Sequence, residues 1–78
     1  MTNIELEYII DNSDTLSIHD AFLKIAELAS EGWEYYNWCN HHDLISLLNY
    51  LVNKNHKTIQ LFYIKPTSEY LIFTKEGK

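Results

Sequence analysis

The spacing of hydrophobic residues changes period along the chain, and each change marks an element. Ile4, Leu6, Tyr8 and Ile10 alternate with Glu5, Glu7 and Ile9, the period-two pattern of a half-buried strand. Asp11-Asn12-Ser13-Asp14 is a polar, turn-forming cluster. The period then lengthens. Ile18, Ala21, Phe22, Ile25, Leu28 and Ala29 recur at helical spacing, with Asp20, Lys24, Glu27 and Glu31 on the opposite stripe. Ser17 suits the N-cap with Asp20 three residues on, and Gly32 stands where a left-handed C-cap residue belongs, so a helix is predicted over 18–31. Trp33 to Trp38 reads as a strand, with Trp33 and Tyr35 on one face and Glu34, Tyr36 and Trp38 on the other.

Asn40 and Asp43 repeat the capping arrangement. Leu44, Leu47, Leu48 and Leu51, widened by Ile45 and Val52, predict a second helix over 41–54, closed by the polar stretch Asn53 to Lys57. Residues 58–64 and 69–74 are rich in β-branched and aromatic side chains and predict two strands. Lys65-Pro66-Thr67-Ser68 joins them as a tight turn, because proline fixes φ and offers no N–H to a ladder. Glu76-Gly77-Lys78 reads as a frayed tail. The succession is β-α-β-α-β-β. It predicts an α+β fold, a two-layer sandwich of a four-stranded sheet with both helices on one face. The 78 residues form one small domain, 1–78, without internal repeats. A chain of this length buries roughly 60–65% of its unfolded surface, so its core is thin.

Three stretches carry a resemblance: Glu7-Tyr8, Leu28-Ala29-Ser30-Glu31-Gly32-Trp33-Glu34, and Tyr70-Leu71-Ile72-Phe73-Thr74-Lys75. Together they resemble small bacterial and phage domains of unknown function. Those domains share a Y-E-Y-like strand, a helix, an L-x-x-x-G-x-E-G-W-E motif and a closing hairpin. The resemblance implies a βαββ-type fold and no catalytic residues. This chain differs by inserting a whole helix, His41 to Asn55.

Charge narrows the partners. The net charge is −5, and it is unevenly spread. Residues 1–34 hold eight acids and one lysine; residues 35–78 hold three acids and five lysines; there is no arginine. Guanidinium groups are the usual bidentate grip on phosphate, so nucleic acid is disfavoured as a direct ligand. An acidic half suits a basic protein surface, although acids also keep a small domain soluble. A single cysteine rules out an internal disulfide and fits a reducing compartment. No stretch approaches the ~20 apolar residues of a membrane helix, and the first residues lack the basic and apolar regions of a signal peptide, so a cytoplasmic protein is expected.

Catalytic and metal chemistry find little support. Cys39, His41, His42 and Asp43 cluster, but zinc spacing wants a second ligand pair, and His19 and His56 stand alone. The cluster reads instead as a helix start with Asp43 in the capping position. Cys39 beside histidines and a helix N-terminus has a setting that can lower a thiol pKa, yet no glycine loop offers an oxyanion site. Glu31 and Glu34 flank Gly32-Trp33 and point to different faces. The expectation is no enzyme, no cofactor and no metal.

The aromatics are more informative. Eight of the eleven fall on the last three predicted strands. By alternation, the helix-free sheet face carries Glu5, Glu7, Glu34, Tyr36, Trp38, Phe62 and Tyr70, a mix of aromatic anchors and carboxylates typical of interfaces. These seven are the predicted partner-binding residues. A one-residue slip in any strand, or cover from a loop, would remove them from that face. The function expected is a non-enzymatic protein-binding module that pairs with a basic protein, with itself, or with both. By analogy of style, this extends to a phage or mobile-element inhibitor of a host nucleic-acid enzyme or defence complex. The alternative is a small-ligand sensor in which Tyr and Trp stack on a nucleotide-like ring near Lys57 and Lys65. Single-stranded RNA on the aromatic sheet ranks third.

Overall fold

Thr2 and Glu5 decide the first element. In the computed structural model, which describes residues 1–77, the Glu5 N–H donates to Thr2 Oγ1 (3.2 Å) and the Thr2 N–H donates back to Glu5 Oε1 (2.7 Å). This capping box opens helix α1, Asn3–Asp11. The strand expected over Ile4–Ile10 is therefore corrected to a helix, as is the strand that the resemblance implied at Glu7-Tyr8. The same segment holds a helical stripe, Leu6, Ile9 and Ile10, and tertiary packing selected it. Leu6 and Ile10 are buried, whereas Ile4 and Tyr8 point outward.

The first strand lies instead in the predicted turn. Strand β1, Asp14–Leu16, runs parallel to β3, Lys57–Ile64. Helix α2, Ile18–Ser30, follows with Ser17 Oγ accepting from the Asp20 N–H (3.1 Å). Strand β2 spans Glu34–Asn40, and helix α3, His41–Asn49, continues into a π-helical turn at Tyr50–Lys54. Strands β3, Lys57–Ile64, and β4, Glu69–Glu76, form the central hairpin. The predicted succession β-α-β-α-β-β and the α+β class hold, with α1 added in front. Of the predicted tail, Glu76 ends β4, where it pairs with Lys57; Lys78 lies outside the described residues.

The sheet is four-stranded and mixed, in the order β1-β3-β4-β2. Its layering differs from the expectation. Leu61 and Ile72 pack with Leu6, Ile10, Leu44, Leu48 and Leu51 of α1, α3 and the π turn. Their neighbours Phe62, Ile64, Leu71 and Phe73 pack with Ala21 and Leu28 of α2. Successive strand residues point to opposite faces, so α2 covers one face while α1 and α3 cover the other. The expected two-layer arrangement with both helices on one face is corrected to helices on both faces. Continuous apolar runs such as Leu71-Ile72-Phe73 mark strands buried on both sides.

The α2–β2 junction matches the reading of Gly32. The Gly32 N–H donates to Ala29 O (3.2 Å) and the Trp33 N–H to Leu28 O (2.9 Å), the paired bonds of a Schellman cap. Gly32 takes φ of +90°. A Cβ there would meet only the end of the Lys75 side chain, Cε at 3.6 Å and Nζ at 3.9 Å, so space is not the constraint. Gly32→Ala should cost about 1–2 kcal/mol through backbone conformation alone. Thermal melting should show a fall of several degrees, and an unchanged melt would contradict the left-handed geometry. Trp33, which follows the cap, is half-buried; the Lys75 ammonium sits 5.4 Å from its ring centroid.

Candidate interaction site

No single surface gathers the seven predicted partner-binding residues, because the helix-free face they were assigned to is covered. Glu5 is taken up by the capping box, and hydrogen bonds from the Thr2 backbone and hydroxyl hold its carboxyl below the usual range. Phe62 is buried beneath α2, edge-on to Phe73 at 5.9 Å between ring centroids. Trp38 is half-buried against Phe22 of α2, with rings 6.0 Å apart, and its buried indole Nε1 has no acceptor among the described residues. Tyr70 points to the opposite face, 5.1 Å from Tyr63 and 6.0 Å from His41. Glu34 begins β2 and is exposed. Tyr36 is the unpaired residue of a β-bulge between Tyr35 and Asn37, and it is exposed as well.

Glu7 has a different setting. With Asp11 it stands on the last turns of α1, four residues apart on one face. Facing them are His41 and Ile45 at the start of α3. Glu7, Ile10, Asp11, His41 and Ile45 line an open cleft of about 250 Å³. Asn40 places its helix by accepting the Asp43 N–H on its side-chain oxygen (3.1 Å). Behind His41 lies Tyr70, whose hydroxyl pKa is raised by burial, with Tyr63 and the Asp11 carboxylate adding to the effect.

On its α1 side the cleft sets negative charge where that helix does not favour it, while the N-terminus of α3 on the facing side offsets part of the penalty. Carboxylates near a helix C-terminus oppose the macrodipole, and like charges four residues apart repel. The last turn of α1 holds no basic residue, and among the described residues neither Glu7 nor Asp11 has an ion-pair partner. A cation entering the cleft relieves both penalties. Ile10 and Ile45 supply apolar walls for an aliphatic stem.

Other chemistry is less well served. Burial, with Asp43 and Glu69 adding, pushes the Cys39 thiol pKa up, opposite to the lowering its neighbours in sequence suggested. Among the described residues no three His, Cys, Asp or Glu side chains are grouped where they could hold a metal ion. Lys57 and Lys65 stand at the two ends of β3, about 26 Å apart along an extended strand, so they do not converge on one phosphate. Lys57 is also paired with Glu76. Among the described residues no helix is long and apolar enough to cross a membrane.

Of the cleft residues, sequence reading singled out only Glu7 as partner-binding. Asp11, Ile10, His41 and Ile45 join it only once residues 3–11 are helical. The signal was present in Thr2-x-x-Glu5, the capping-box spacing. Comparison of the chain with protein families, with curated proteins and with solved structures finds no match.

Proposed function

We propose that this chain is a non-enzymatic protein-binding module whose α1–α3 cleft receives a basic side chain from a partner protein. The observation that carries the proposal is the unpaired Glu7–Asp11 couple across a cleft with apolar walls. A lysine or arginine fits this setting: its stem lies along Ile10 and Ile45 while its charge meets the carboxylates. The net charge of −5 steers a basic surface toward it. Nucleic-acid enzymes and the defence complexes that use them carry such basic surfaces. Within this proposal, a protein that occupies one of those surfaces acts as its inhibitor, in the manner of phage and mobile-element proteins.

The test is an amide-resolved NMR titration with a short lysine-rich peptide at low salt. The amides of Glu7, Asp11, His41 and Ile45 should shift first. The double reversal Glu7→Lys/Asp11→Lys should weaken binding at least tenfold and keep the fold, since both residues are exposed and lysines complement the dipole at a helix C-terminus. Reversal of Asp20 and Glu27 on α2 should leave affinity within about twofold, as expected of charges remote from a binding site. Equal losses from both reversals would show only general charge attraction and sink the proposal.

A further inference from the structure

The sheet has two edges of unlike character. One edge, β1, is three residues long. The other, β2, is seven residues long, is bonded only to β4, and contains neither lysine nor proline, the usual guards of an exposed edge. Its aromatics are not hidden: Tyr35 and Tyr36 are exposed. Helix α2 continues this apolar shoulder. Phe22, 60% exposed, lies against Trp38 of β2, and Ile18, one turn earlier on the same stripe, is exposed too. Ala26 and Ala29, on the following turns, are small and exposed. Large side chains at one end of the stripe and small ones at the other are complementary under an antiparallel twofold.

We propose that two copies of this chain associate through the open edge of β2, antiparallel, with α2 of each copy packed against α2 of the other. Charge selects that arrangement. Glu34 is the only charged residue of β2. A parallel pairing would set Glu34 against its own copy. An antiparallel pairing with its twofold axis near Asn37 separates the two Glu34 carboxylates by about 20 Å. It also brings each one opposite Asn40, where the partially positive N-terminus of α3 and the exposed His41 and His42 stand beside Asp43 and Glu69.

The bulge at Tyr36 and the Asn37 side-chain oxygen, which accepts the Trp38 N–H at 2.8 Å, interrupt a regular ladder. Backbone pairing is therefore confined to short segments, and burial of Phe22, Ile18, Tyr35 and Tyr36 supplies most of the affinity. Such a patch is at the small end of specific interfaces, which corresponds to a dissociation constant on the order of 10–100 µM. This surface meets the α1–α3 cleft only at His41, and Phe22 and Tyr36 lie outside the cleft, so variants at those two positions test the dimer apart from the cleft.

Sedimentation of the full chain over a concentration series tests it. The mass should rise from 9.3 kDa toward twice that value. Phe22→Glu and, separately, Tyr36→Lys should each raise the dissociation constant at least tenfold while the circular dichroism spectrum and melting temperature are kept. A mass that stays at 9.3 kDa at every soluble concentration overturns the proposal. So does a dimer that both variants leave intact, or one abolished by Glu7→Lys/Asp11→Lys instead.

Discussion

Phe73→Ala should destabilise the protein by about 3–5 kcal/mol, the largest single loss expected in this chain. Phe73 is fully buried in the middle of β4. Its ring meets Phe62 edge-on at 5.9 Å and Tyr35 at 6.4 Å, and it lies in the cluster under α2. Truncation leaves a cavity that neither strand can close without breaking ladder bonds on both sides. A domain of this length holds only about 4–12 kcal/mol in total, so the variant should sit near its unfolding threshold at room temperature. Denaturant titration measures this directly. Phe22→Ala is the internal control: the same truncation on the exposed side of α2 should cost under about 1 kcal/mol. Equal losses at Phe73 and Phe22 would contradict the placement of α2 on that face of the sheet.

The pair Leu6→Ala and Ile4→Ala should separate sharply. In a strand these residues would share a face and cost alike. In helix α1 they are turned about 200° apart. Leu6 is 0% exposed in the cluster with Leu44, Leu48 and Leu51, whereas Ile4 is 81% exposed. Leu6→Ala should therefore cost about 2–5 kcal/mol and Ile4→Ala no more than about 0.5 kcal/mol. The same measurement bears on the candidate cleft, because Glu7, Ile10 and Asp11 reach one wall of it only through the helical phase that buries Leu6. Similar costs at the two positions would dismantle the cleft along with the helix.

Legibility varied with how local the deciding interaction was. Helix α2 was readable because its cap, its stripe and its Gly32 stop agree, and all are fixed by residues within a few positions of one another. Strands β3 and β4 were readable for the same reason: β-branched and aromatic runs broken by Pro66. Residues 4–10 were not, because they satisfy a period of two and a helical stripe at once. The competing patterns differ only in which partner they find, and α3 offered Leu44 and Leu48 to the helical one. The three-residue β1 has no pattern of its own and exists because β3 leaves an edge open to it.

By itself, then, the sequence determined the α+β class, the order from α2 to β4, the Schellman stop at Gly32, and a negative charge without arginine. These depend on local hydrogen bonds, local periodicity and composition. Only the tertiary structure decided which face each residue serves. Alternation in a strand tells odd from even, but it does not say whether one or both sides will be covered. In Leu71-Ile72-Phe73 both faces are buried because α1 with α3 covers one side and α2 the other. That covering removed the aromatic face expected of Phe62 and Tyr70, and left the α1–α3 cleft and the β2 edge open at the surface.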